Sequence, residues 1–259
     1  MVTIASYAVN KFQASTKTAG LVAGIFIIGA LIGRLGTGRI IEAAGSAKIL
    51  KFSTILFIIT SALYFAAVNL PLLILVRLLH GIIFGMASTA TGTIVAQIIP
   101  GSRRGEGIGF YSMGAILSVA SGPFVGMLLI HGTDFKMIFT LTSVLATGSF
   151  ILSFLVDEAA CKLSLQEQVK SESPSRLSNF LEMKAVPISM VIFIIGFSYS
   201  GVLTFVSLYS REIQLQEAAS FYFLVYAVTV FVSRPVSGRL FDVRGANFVA
   251  YPCLIIYAA

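Results

Sequence analysis

Arg77 and His80 stand three residues apart inside the apolar segment Leu72–Ile98, one a fixed cation and the other a group that can take up or release a proton. A spacing of three puts them on one face of a helix. A charge in such a segment costs about 2.5–3.5 kcal/mol on membrane-insertion scales, which makes it a functional signal by default. Imidazole titrates near neutral pH, so His80 is a candidate for carrying a proton or for contacting a substrate. The plainer alternative is that Arg77, six residues after Pro71, extends its guanidinium to the membrane edge as an anchor.

A second chemistry is present twice. Residues 34–45, RLGTGRIIEAAG, and residues 234–245, RPVSGRLFDVRG, align with an offset of 200. Arg34/Arg234, Gly38/Gly238, Arg39/Arg239 and Gly45/Gly245 are identical, and Glu42/Asp242 keeps the acid. Glycines at these places allow close helix approach and a tight turn with positive φ. The carboxylate can face the positive N-terminus of a neighbouring helix, and the arginines, with Lys48 after the first copy, can reach a carboxylate or lipid phosphates. Such a cluster can latch one conformation and release in another. For Arg39 and Lys48 the alternative is a loop that simply carries the charge bias of its side of a membrane.

Small residues make a third pattern: Gly105 and Gly109, then Gly114, Ser118, Gly122 and Gly126, with Pro123 beside them. Intervals of four place them on one helix face, where a partner backbone can come close. Pro123 removes a helix hydrogen bond and predicts a kink. Gly20/Gly24, Gly29/Gly33 and Gly81/Gly85 share the spacing and are read as packing.

Long apolar elements must position these residues, and the composition supplies them. Hydrophobic residues make up 57% of the 259 and charged residues only 11%, against about 25% charged in a soluble domain. That excludes a soluble enzyme, a nucleic-acid reader and a disordered regulator. Seven segments are long enough to cross a bilayer as helices: Thr18–Ile41, Lys51–Val68, Leu72–Ile98, Gly107–Ile130, Met137–Val156, Ala185–Tyr209 and Ala218–Leu240. Their apolar runs are continuous, unlike the alternating strands of a barrel. The expected fold is an all-α, multi-pass membrane bundle. Met1–Val9 and Ala246–Ala259 are apolar but too short to span, so the chain is expected to be cut inside one helix at each end.

The net charge of +7 is an orientation signal. Of the 18 basic residues, 13 fall on one side when loops alternate and four on the other, with Arg77 inside a span. The basic side is the cytoplasmic one, which assigns loops 34–51, 100–106, 157–184 and 234–247 to the cytoplasm. The domain order read from this is 1–156 as a six-helix half lacking most of its first helix, 157–184 as a polar linker and 185–259 as an incomplete second half. Cys161 and Cys253 allow one disulfide and no metal cluster. No catalytic triad, phosphate loop or ligand cluster is present, so neither an enzyme nor a cofactor or metal is expected. Aromatic residues of the second half, among them Phe193, Phe197, Tyr199 and Tyr226, either line a cavity for flat cations or pack and face lipid.

The repeated Gly-x3-acid-x2-Gly loops after the second and eighth helices resemble the signature of the major facilitator superfamily. The first copy departs from it by Glu42 for Asp and by Ala43 where an Arg is usual. Gly105, Gly114, Gly122, Pro123 and Gly126 resemble the fifth-helix signature of its drug:proton antiporter branch, with Ser118 and Met127 in place of glycines. Arg77-x2-His80-Gly81 resembles the fourth-helix signature. The resemblance implies a parallel repeat of two six-helix bundles that rock around a midplane site. It further implies export of a drug or metabolite by proton antiport in the plasma membrane, Arg77 in proton coupling, and a monomeric full-length form. The alternatives are a sugar, metallophore or other metabolite on the same fold, or an inactive piece of a broken gene. None of the eleven acidic residues lies mid-span. The embedded carboxylate that proton antiport usually uses is expected outside residues 1–259, unless His80 serves instead.

Overall fold

The computed structural model describes residues 3–130, 135–156, 183–212, 214 and 216–258. These form helices α1 (Thr3–Phe12), α2 (Thr16–Ala44), α3 (Ser46–Leu63), α4 (Leu70–Ile98), α5 (Arg104–Ile130), α6 (Lys136–Ser153), α7 (Val186–Glu212), α8 (Gln216–Arg244) and α9 (Ala246–Ala258), with no strand among the described residues. Short 3-10 turns cover Gly101–Arg103 and Met183–Ala185. Residues 157–182 of the expected linker, with Cys161, and His131 lie outside the described residues.

Seven of these helices have 18 to 29 residues, while α1 has 10 and α9 has 13. At 1.5 Å per residue the shortest of the seven reaches about 27 Å, close to the thickness of a hydrocarbon core. Among the described residues α2, α3, α4 and α6 are long and apolar enough to cross a membrane. The all-α multi-pass fold expected from the composition is the one observed.

Helix limits follow local chemistry. Ser15 caps α2 by accepting from the Thr18 amide at 3.3 Å, and Asn69 caps α4 by accepting from the Leu72 amide at 2.9 Å. Helix α3 lies about five residues earlier than the expected span Lys51–Val68. Gly45 is the reason. Its φ of +88° turns the chain at once, while its amide donates to the Ile41 carbonyl at 2.8 Å, so α3 restarts at Ser46. Gly245 does the same between α8 and α9, with φ +84° and its amide donating to the Phe241 carbonyl at 3.0 Å. The repeat is thus one of backbone conformation as well as residue type.

Lipid is as apolar as leucine, so membrane helices associate through close packing and hydrogen bonds rather than burial from water. The longest contact here, α2 against α4, uses glycines on both sides. A Cβ added at Gly29 or Gly33 would strike the Leu78 or Ile82 carbonyl, and one at Gly81 or Gly85 would strike the Phe26 or Ala30 carbonyl. Gly20 and Gly24, read as packing from their spacing, have nothing among the described residues within 4 Å of such a Cβ. Helix α3 packs on α4 and α6, α1 packs on α2, and α5 lies along α8. Tyr7, Val22, Tyr64, Leu73, Val76 and Phe139 form one buried cluster, near the start of α4. Ile41, Ile49, Leu50, Ala90 and Ile94 form another, near its end.

Candidate functional site

Arg77 sits two turns into α4 and is only 2% exposed. Its guanidinium is packed inside the bundle. Its Nε donates to the Val22 carbonyl at 3.1 Å, Nη2 to the Ala23 carbonyl at 3.3 Å and Nη1 to the Tyr64 hydroxyl at 3.5 Å. The guanidinium lies 4.6 Å from the centre of the Phe26 ring, a cation–π distance that strengthens where water is excluded. Carbonyls, a phenol and a ring thereby replace the hydration that a guanidinium loses in a membrane. One side chain joins α2, α3 and α4.

His80, on the same face of α4, is fully buried. Its imidazole lies among three rings: Phe57 at 4.3 Å between centroids, Tyr64 at 5.4 Å and Phe26 at 5.8 Å. Neither ring nitrogen has a hydrogen-bond partner among the described residues. Tyr64, Phe26 and Phe57 are residues that the spacing rules did not single out, although Tyr64 touches both Arg77 and His80.

The second loop copy is built into a helix contact. Asp242, near the end of α8, accepts from the amides of Gly105 at 2.6 Å and Glu106 at 2.8 Å, so its carboxylate caps the N-terminus of α5. The cap requires close backbones. A Cβ at Gly105 would lie 2.6 Å from the Gly238 carbonyl oxygen, and a Cβ at Gly238 would lie 2.5 Å from that of Gly105. Gly109 continues the contact, with the Arg234 carbonyl 3.0 Å from such a Cβ. Beside the cap, Arg103 Nε donates to Glu106 at 2.9 Å. That bond, reinforced by the charge of the exposed Arg239, holds the Glu106 carboxyl below the usual carboxylate range.

The first copy is placed differently. Gly38, Arg39, Glu42 and Lys48 are exposed, and nothing lies within 4 Å of a Cβ added at Gly38. Gly45 and Gly245 supply turns in both copies. In the α5 stripe, Gly105 and Gly109 meet α8, whereas Gly114 and Gly122 have nothing within 4 Å of an added Cβ. Ser118 donates to the Gly114 carbonyl at 2.8 Å, and Gly126 is buried. Helix α5 continues through Pro123 to Ile130. In the second half, Phe193 and Phe197 are 65% and 77% exposed, and Cys253 is exposed.

A bundle of long apolar helices, with a buried arginine–histidine face and a helix-turn motif repeated 200 residues apart, defines a multi-pass membrane protein of the transporter type. The chain belongs to the Major Facilitator Superfamily, whose family profile matches residues 1–259. It is 24% identical over 244 residues to the uncharacterized MFS-type transporter MJ1560 of Methanocaldococcus jannaschii, covering 92% of this chain and 62% of that one. It is 25% identical over 215 residues to the multi-drug resistance efflux pump PmrA of Streptococcus pneumoniae, covering 81% of this chain and 50% of the pump. Similarity to the galactose-proton symporter of Escherichia coli is 32% over 124 residues, 45% of this chain and 27% of the symporter. The chain therefore spans 62% or less of the length of each of these relatives.

Proposed function

We propose that the protein containing this chain exports a small molecule, a drug or metabolite, across the plasma membrane in exchange for protons. The observation that carries the reading is the Arg77–His80 face, buried at 2% and 0% exposure inside α4. A cationic and a titratable group are retained there despite their cost in a membrane. Residues 1–156 and 185–259 act as parts of two halves that rock around a midplane site, joined through the linker 157–184. The loops at 34–51, 100–106, 157–184 and 234–247 face the cytoplasm.

In this reading Asp242, Gly238, Arg239 and Gly245 form the cytoplasmic latch against Gly105 and Glu106, and it holds the cytoplasmic side closed. Gly38, Arg39, Glu42, Gly45 and Lys48 make the counterpart latch. Gly114, Ser118, Gly122, Pro123 and Gly126 give α5 the thin face along which the halves slide. The unit is a monomer. Similarity to an efflux pump supports export, and similarity to a galactose-proton symporter supports a second reading, proton-driven uptake of a sugar.

Proteoliposomes holding the full-length protein distinguish these. With an acid interior, antiport accumulates lipophilic cations inside as protons leave. With an acid exterior, symport accumulates sugar as protons enter. Substrate movement indifferent to the pH gradient contradicts both forms of coupling.

A further inference from the structure

Ser61 lies on α3 four residues after Phe57 and three before Tyr64, so the three share one helix face. That face is turned toward His80, because the Phe57 and Tyr64 rings both lie against the imidazole, at 4.3 and 5.4 Å. Ser61 and His80 are both 0% exposed. Of the other buried serine and threonine hydroxyls among the described residues, those of Thr37, Ser53, Thr54, Thr60 and Ser153 each donate to a carbonyl three or four residues earlier in their own helix, and that of Ser46 donates to Gln97 Oε1 at 2.8 Å. Ser61 Oγ makes no such bond. Like His80 Nδ1 and Nε2, it has no partner among the described residues. Tyr64, one turn further on, accepts from Arg77 at 3.5 Å, and a phenol that accepts still has its own O–H to donate.

His80, Ser61 and Tyr64 are thus buried polar side chains on facing sides of the α3–α4 contact, with the Phe57, Tyr64 and Phe26 rings against the imidazole. Arg77 on α4 and Tyr64 at the C-cap of α3 are the charged and titratable groups beside His80, while α2 contributes Val22, Ala23 and Phe26. Buried polar groups without protein partners are the setting in which ordered internal water is found, and such a water needs two to four polar partners. We propose that His80, Ser61 and Tyr64 bind one internal water between α3 and α4, which ties the imidazole to the Tyr64–Arg77 pair. Ser61 is then a positioning residue for His80. The site concerns the hydrogen bonding of the ring and stands whether transport proves to be export, uptake or uncoupled.

Solid-state nuclear magnetic resonance of the full-length protein in bilayers, with histidine carrying the heavy nitrogen isotope, tests this. The His80→Gln variant identifies the His80 signals by their loss. The parent protein is expected to show a cross-peak from water to the His80 ring N–H. The Ser61→Ala variant is expected to lose that cross-peak and shift the ring nitrogen signals, while Ser61→Thr retains both. A parent protein with no water cross-peak at His80 overturns the proposal even if Ser61→Ala fails to fold. So does a folded Ser61→Ala variant whose His80 signals superimpose on those of the parent.

Discussion

Arg77 acts at the residue scale as a fixed point. Its planar fork reaches two carbonyls of α2 and the Tyr64 hydroxyl at once, and a lysine cannot, because its ammonium is a single point on a flexible stem. Arg77→Lys keeps the charge and is expected to lower stability by about 1–3 kcal/mol, since polar groups in the bundle then lose partners. Thermal unfolding in detergent measures this, and an unchanged midpoint contradicts the role given to the fork. The Arg77–His80 pairing was legible in the sequence because helix periodicity alone puts the two on one face. Phe57, Ser61 and Tyr64 were not legible as partners. They lie 16 to 23 residues before His80, and the packing of α3 on α4 brings them to the same place.

At the scale of elements, the α5–α8 contact shows what a motif does and does not specify. The Gly-acid-Gly pattern implied a carboxylate facing some helix N-terminus, and Asp242 meets one. The helix it meets begins 138 residues earlier in the chain, at Arg104, a distance no local pattern encodes. The four-residue spacing puts the α5 stripe on one helix face; Gly105 and Gly109 meet α8, while Gly114 and Gly122 have nothing within 4 Å of an added Cβ. This difference makes a paired test. Gly238→Ala places a methyl against the Gly105 carbonyl and should cost about 1–3 kcal/mol through forced separation of the helices. Gly114→Ala, with no neighbour within 4 Å, should be neutral or stabilising by up to about 1 kcal/mol through helix propensity. Parallel thermal unfolding of the two variants gives the comparison. Equal losses would show that the α5–α8 approach carries no special weight.

On the scale of the whole molecule, the membrane fold, its seven long helices and its repeat follow from composition and periodicity, whereas the docking of one group of helices on the other does not. The Asp242 cap and the three glycine contacts join α5 to α8 at the end of the bundle that carries most of the positive charge. In the proposed function this junction is a latch that opens during transport. Spin labels on Ser102 and Val243, both exposed, flank the junction without entering it. Distances between them in full-length protein in bilayers, with Cys161 and Cys253 replaced by serine, report its state directly. A short-distance population is expected to give way to a longer one when substrate and a pH gradient are supplied, with a shift to the longer one in Asp242→Asn without either. A single distance that responds to neither the gradient nor the substitution would contradict it.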